Sequence, residues 1–234
     1  KLDNFESNLI TGIYYLEKED LAQARVYFEK LKNQNQPGTI QNLLSISLNN
    51  WSNFNAINPS LSSWQLLPSR FENIKNIQEI FTYCYFDSNK TDAVFEKLTA
   101  NTKINYSRYH FFHANYLIAK GKEKKAKKVL QASIDLYPKN LILNQLQTDL
   151  SQKQETSNKF DCKEINHVIA EVLYIVANGL STQANYVASK FYLNLAKYLN
   201  PNFVSFERLF AENLYSYKSL PYLLLNQAGL FQHL

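Results

Sequence analysis

From end to end, apolar residues recur at three- and four-residue spacing, and no segment alternates apolar and polar over the length of a strand. That period lines the apolar side chains along one face of a helix, so the chain is expected to be all-α. Polar punctuation divides it into helices near residues 3–18, 20–33, 39–53, 60–66, 70–86, 90–99, 104–120, 122–137, 139–150, 164–181, 184–199, 202–217 and 220–232. Asp20 is placed to cap the second helix, and Pro37-Gly38 breaks the chain before the third. Asn58-Pro59 and Pro68 mark an irregular region around Trp51, Phe54 and Trp64. Residues 151–163 read as a polar linker, apolar only at Phe160 and Cys162, between helical stretches at 1–150 and 164–234.

Composition removes several chemistries. At 234 residues and 45% hydrophobic, the chain can bury a core without a disulfide or metal staple. The five glycines stand at least 26 positions apart, so a glycine-rich phosphate loop, which needs several within about eight residues, has no place to form. A net charge of +5 is mild for this length and short of a nucleic-acid signature. Cys84 and Cys162 cannot build a thiolate zinc site; they are free thiols or one bridge, and buried inert thiols are the expectation. No apolar run reaches the roughly 20 residues of a membrane helix; the most apolar, Val168 to Leu180, is interrupted by Glu171 and Asn178. The chain begins at Lys1 and contains no methionine, so a signal peptide or a longer N-terminal portion is expected to precede it.

Small residues carry a second, longer period. Gly12 is followed three later by Tyr15 and twelve later by Ala24; Ala114, Leu117 and Ala126 repeat the spacing, as do Ala177, Leu180 and Ser189. Phe28, Leu130 and Leu193 come four residues after the second small position, then Leu31, Ser133 and Ala196, and each pair closes near a proline, Pro37, Pro138 or Pro201. Ala24 and Ala126 are 102 residues apart, three times 34, and Ala177 and Ala211 are 34 apart. The 63-residue step from Ala126 to Ser189 is out of phase, as an extra helix plus the linker would make it.

At these positions the chain resembles the tetratricopeptide repeat family, whose unit is a 34-residue helix–turn–helix. The match is good over 105–138, fair over 6–37 and 170–201, and poor over 39–100, where Ala93, Phe95, Leu98 and Ala100 suggest a degenerate second helix. The family's tryptophan is missing from every unit. The resemblance implies an α-solenoid of antiparallel helix pairs wound into a right-handed superhelix, with both stretches in one array. Asn166 to Phe203 is also similar to a segment of bacterial envelope-associated tetratricopeptide proteins of unknown function. That likeness implies a middle or N-terminal part of a longer array in the periplasm or cell envelope, with the cytoplasm as the alternative.

In the family, the residue after the first small position faces the concave groove, which corresponds to Ile13, Asn115 and Asn178. Further along that face lie Arg108, Phe111, Ile118, Tyr174 and Ser181. A side-chain amide both donates and accepts, so such a groove suits a peptide backbone. The lysine clamp for carboxylates is not reproduced, since Phe111 and Tyr174 occupy its place.

His110 and His113 share a helix face but have no carboxylate at helical spacing, so packing or ordinary hydrogen bonding is expected rather than a metal site. Lys120, Lys122, Lys124, Lys125, Lys127 and Lys128 are read as a solvated outer face, with an acidic partner, anionic lipid or RNA as the sharper alternative. Neither catalysis nor a cofactor is expected. The expected function is a noncatalytic scaffold for a protein or peptide. The alternative is self-association, as a homodimer, through a C-terminal helix carrying Tyr222, Leu223, Leu224, Leu225, Leu230, Phe231 and Leu234.

Overall fold

The computed structural model describes residues 3–54, 61–156, 159–203 and 205–227, with side chains from 63 in the second stretch and from 206 to 217 in the last. All regular structure among them is helical: α1 (Phe5–Glu17), α2 (Leu21–Leu31), α3 (Ile40–Asn53), α4 (Glu72–Tyr85), α5 (Thr91–Thr99), α6 (Ser107–Ala119), α7 (Glu123–Leu136), α8 (Leu141–Gln152), α9 (Ile165–Thr182), α10 (Tyr186–Leu199) and α11 (Ser205–Gln227). Two short 3-10 helices, Leu61–Leu66 and Ser69–Phe71, replace the expected helix at 60–66 and the first turn of the next. The expected break between 217 and 220 is absent: α11 runs on through Pro221. Residues 222–234, on which the expectation of an apolar C-terminal face rests, lie outside the described side chains. Among the described residues no helix is long and apolar enough to cross a membrane.

Four helices end in the same way. Glu19, Asp87, Gly121 and Ala184 take left-handed backbone, with φ of 60°, 53°, 69° and 58°. The next residue's N–H then reaches back to the carbonyl of Tyr15, Tyr83, Leu117 or Leu180 at 2.9, 2.9, 2.8 and 2.9 Å. The left-handed residue's own N–H bonds Leu16, Cys84, Ile118 or Ser181 at 3.0, 3.1, 2.9 and 2.9 Å. This paired bonding satisfies carbonyls that a helix end leaves open, and it reverses the chain within a few residues. The products are four antiparallel pairs: α1–α2, α4–α5, α6–α7 and α9–α10. Asp20 and Asn185 then cap the returning helix by accepting from Gln23 and Ala188 N–H.

The small residues lie where paired helices cross. Ala24, Ala114, Ala126, Ala177, Ser189 and Ala196 are fully buried. Ser189 Oγ donates to the Ala177 carbonyl at 2.7 Å, a bond from the α10 side chain to the α9 backbone that requires the two helices to approach closely. Pro138 and Pro201 stand just after α7 and α10, where a missing N–H costs nothing.

The later helices fold back on the first. α9 packs on α3, and α10 on α1, although long stretches of chain separate them. Val168 to Leu173 are all buried whichever way they point, so α9 is a core helix rather than one layer of an open stack. Hydrophobic residues from both expected stretches form one continuous core.

The segment between α8 and α9 is a strap rather than a free linker. Phe160 stacks on Phe112 with ring centroids 3.9 Å apart, and Asn200 Nδ2 donates to the Lys159 carbonyl at 2.9 Å. The expectation of free thiols is corrected here: Cys84, at the end of α4, is disulfide-bonded to Cys162 in the strap, with Cα atoms 5.9 Å apart. Their separation of 78 positions hid the pairing, which only the fold-back of α9 creates.

Candidate functional site: a cleft beside α6

α6 carries four of the eight candidate groove residues, and its two ends meet different surroundings. At its start, Arg108 points inward and forms a two-pronged ion pair with Glu171 of α9, at 2.6–2.9 Å. The guanidinium lies 3.9 Å from the Tyr174 ring centroid and 4.4 Å from that of Phe203. Burial pushes the Glu171 carboxyl up from its ordinary value against the pull of the guanidinium, and Tyr109 Oη also bonds it at 3.3 Å. Phe111 is buried as well. Arg108, Phe111 and Tyr174 are therefore brought together, but as an internal joint between α6, α9 and the start of α11.

The second half of α6 faces open space. A cleft of about 770 Å³ runs between it and the strap, bordered by the ends of α4 and α8 and the start of α9. Asn115 and Ile118 line this cleft, so two of the candidate groove residues share one concave surface. Phe112, Phe160 and the disulfide supply apolar wall. Asn115 Nδ2 lies buried there with no hydrogen-bond partner. At the rim, Lys120 and Lys163 both bond Asp87 and hold its carboxyl below the usual carboxylate range. An apolar wall, one uncommitted amide donor and a rim of mixed charge suit a segment of polypeptide better than a highly charged ligand.

The remaining candidates lie elsewhere. Asn178 is exposed on α9, and Ser181 donates to Asn213 of α11 at 2.5 Å. Ile13 is buried in the α1 face. His113 is buried and bonds Asp92 at 2.7 Å, while His110 Nε2 is buried with no partner. Burial lowers the His113 pKa against the pull of Asp92, and it depresses His110 to about 4. Among the described residues no group of three or more histidine, cysteine, aspartate or glutamate side chains is placed to hold a metal.

The lysine cluster divides. Lys120, Lys122 and Lys125 pair with acids of α5 or the turn before it, whereas Lys124, Lys127 and Lys128 are exposed. Sequence reasoning passed over Glu171 as an interruption of an apolar run. A lone carboxylate on an otherwise apolar helix must find a cation when it is buried, and that was the signal for its pairing with a remote arginine. The strap's place against α6 had no such signal. Comparison with protein-family models, with curated proteins and with solved structures finds no match to this chain.

Proposed function

We propose that the chain is a noncatalytic helical-repeat scaffold of tetratricopeptide type that holds an unstructured segment of another protein in the cleft beside α6. The observation that carries the reading is the recurrence of one helix–turn–helix closure. Its left-handed residues Glu19, Asp87 and Gly121 stand 68 and 34 positions apart, whole multiples of the repeat length. Bonds between units keep nearly the same step: Tyr106–Asn73, Lys120–Asp87, Lys125–Asp92, Tyr137–Ile104 and Asn140–Ser107 each join residues 33 apart. Stacking of this kind supports a right-handed superhelix from α4 to α8, with α9 joined to α6 through Glu171 and Arg108. Arrays built this way offer concave surfaces for binding. The disulfide supports an oxidising compartment, such as the bacterial periplasm.

Site-specific photo-crosslinking tests the reading. A crosslinker at Ile118 should give a discrete protein adduct in cells that make the protein, and one at the exposed Lys127 should not. Equal adducts at both positions, or none at Ile118, overturn the cleft. Self-association is the second reading. It is favoured by Val187, Leu214 and Tyr217, which are 72%, 41% and 56% exposed around a small apolar hollow between α10 and α11. Light scattering behind a sizing column tests it: a dimer that Leu214→Glu dissolves would support it, and a monomer at all concentrations would remove it.

A further inference from the structure

A second concave surface lies on α3, away from the cleft beside α6. On α3 the position 68 residues before Asn115 is Ser47, which is fully buried and does not line this hollow. The hollow, about 630 Å³, is lined by Asn35, Asn42, Asn49, Asn50 and Asn53. Ile46, Phe54, Leu66 and Pro68 supply its apolar parts. Lys32 is the one charged side chain among the described lining residues, and its Nζ is taken by Glu29 at 2.6 Å.

Most of these amides hold the protein itself together. Asn42 Nδ2 donates to Asn35 Oδ1 at 2.9 Å, and Asn42 Oδ1 accepts from Gly38 N–H at 3.1 Å. Asn53 Nδ2 donates to the Asn49 carbonyl at 2.8 Å. Two amide atoms are left over. Asn49 is 4% exposed, and its Nδ2 donates to the carbonyls of Phe28 and Ser45 at 2.7 and 2.8 Å, which fixes the amide's orientation. Among the described residues its Oδ1 then has no donor, and Asn50 Nδ2 has no acceptor. A buried polar atom without a partner costs roughly 1–3 kcal/mol, and the groups in folded proteins that carry this cost call for an explanation. Here the orphans are one acceptor and one donor, on consecutive residues that line a hollow with no unpaired charge among its described lining residues.

We propose that this hollow is a binding site for an extended, uncharged polypeptide segment, read through its backbone. A residue of an extended chain presents its own N–H and C=O to the same side, which match Asn49 Oδ1 and Asn50 Nδ2. Successive peptide side chains then stand to either side of these bonds, where Ile46, Phe54 and Leu66 supply apolar surface. With no unpaired charge among the described lining residues, recognition rests on backbone shape and apolar side chains rather than on charged residues.

Selection from a displayed library of linear random dodecapeptides tests the proposal, with maltoheptaose as the saccharide control. Peptides that bind the parent protein should be neutral, and should bind Asn50→Asp about tenfold more weakly, because the change replaces the free donor by an acceptor at constant shape. Asn115→Asp, in the other cleft, should leave their affinity unchanged. N-methylation of a selected peptide at alternate residues should abolish binding in one register and spare it in the other. Three outcomes overturn the proposal: no peptide selected against this surface, selected peptides indifferent to Asn50→Asp and to N-methylation, or maltoheptaose shifting the Asn49 and Asn50 side-chain amide resonances where peptides do not.

Discussion

At Gly12 a methyl group has nowhere to go: a Cβ there would stand 2.4 Å from Phe28 Cε1. Gly12→Ala is expected to cost ~1–3 kcal/mol by forcing α1 and α2 apart, read as a lower urea midpoint. Gly179, inside α9, has no atom within 4 Å of the same added carbon. There Gly→Ala should raise the midpoint, by up to ~1 kcal/mol, since it restricts the unfolded chain without a clash. This contrast was half legible in the sequence, where Gly12 belongs to the repeated small-residue spacing and Gly179 does not. Buried histidines set a second expectation. Burial depresses His110 to about 4, and it lowers His113 and His167 from their ordinary value of 6.5. Between pH 6.5 and about 4 the unfolded chain therefore binds more protons than the folded one, and stability falls as pH falls through that window. Thermal melts should drop across it, and His110→Leu should flatten part of the loss; a melting temperature constant from pH 7 to pH 4.5 would contradict the assignment.

Among the helices, local rules are strong and docking rules are specific. The four identical turns follow from residue choices within a few positions of each helix end, with Asp20, Gly121 and Asn185 among them. The seating of α9 against α6 instead depends on Arg108 and Glu171, 63 residues apart. Removing one partner strands a buried charge, so Arg108→Ala is expected to cost about 3–5 kcal/mol in chemical unfolding. Replacing both at once, with Arg108→Met and Glu171→Leu, should cost less than the sum of the two single changes, because no ion is then left unpaired. Additivity of the two would show that the pair does not act as a unit. The spacing assigned the candidate groove residues to particular helix faces. Which faces stay open was another matter: the start of α6 is covered by α9, and only Asn115 and Ile118 border the cleft.

For the whole molecule, the disulfide joins the end of α4 to the strap that precedes α9, and so ties the early helices to those that fold back on them. Closing a loop of 78 residues restrains the unfolded chain by up to ~4.5 kcal/mol on the chain-entropy argument. Cys84→Ser with Cys162→Ser should lower stability by ~2–4 kcal/mol, and dithiothreitol should do the same to the parent but nothing to the variant. A Cys84–Cys162 cross-linked peptide should appear in non-reducing digests; its absence from protein made under oxidising conditions would contradict the pairing. The all-α character, most of the helix ends and the small-residue crossings were determined by the sequence alone, because each rests on periodicity and capping within a few turns of chain. The tertiary structure alone decided where the strap lies, that Cys84 meets Cys162, that Glu171 answers Arg108, and which amides of α3 are left without partners. These are meetings of residues far apart in the chain, and local propensity carries no information about which distant helix arrives to cover a given face.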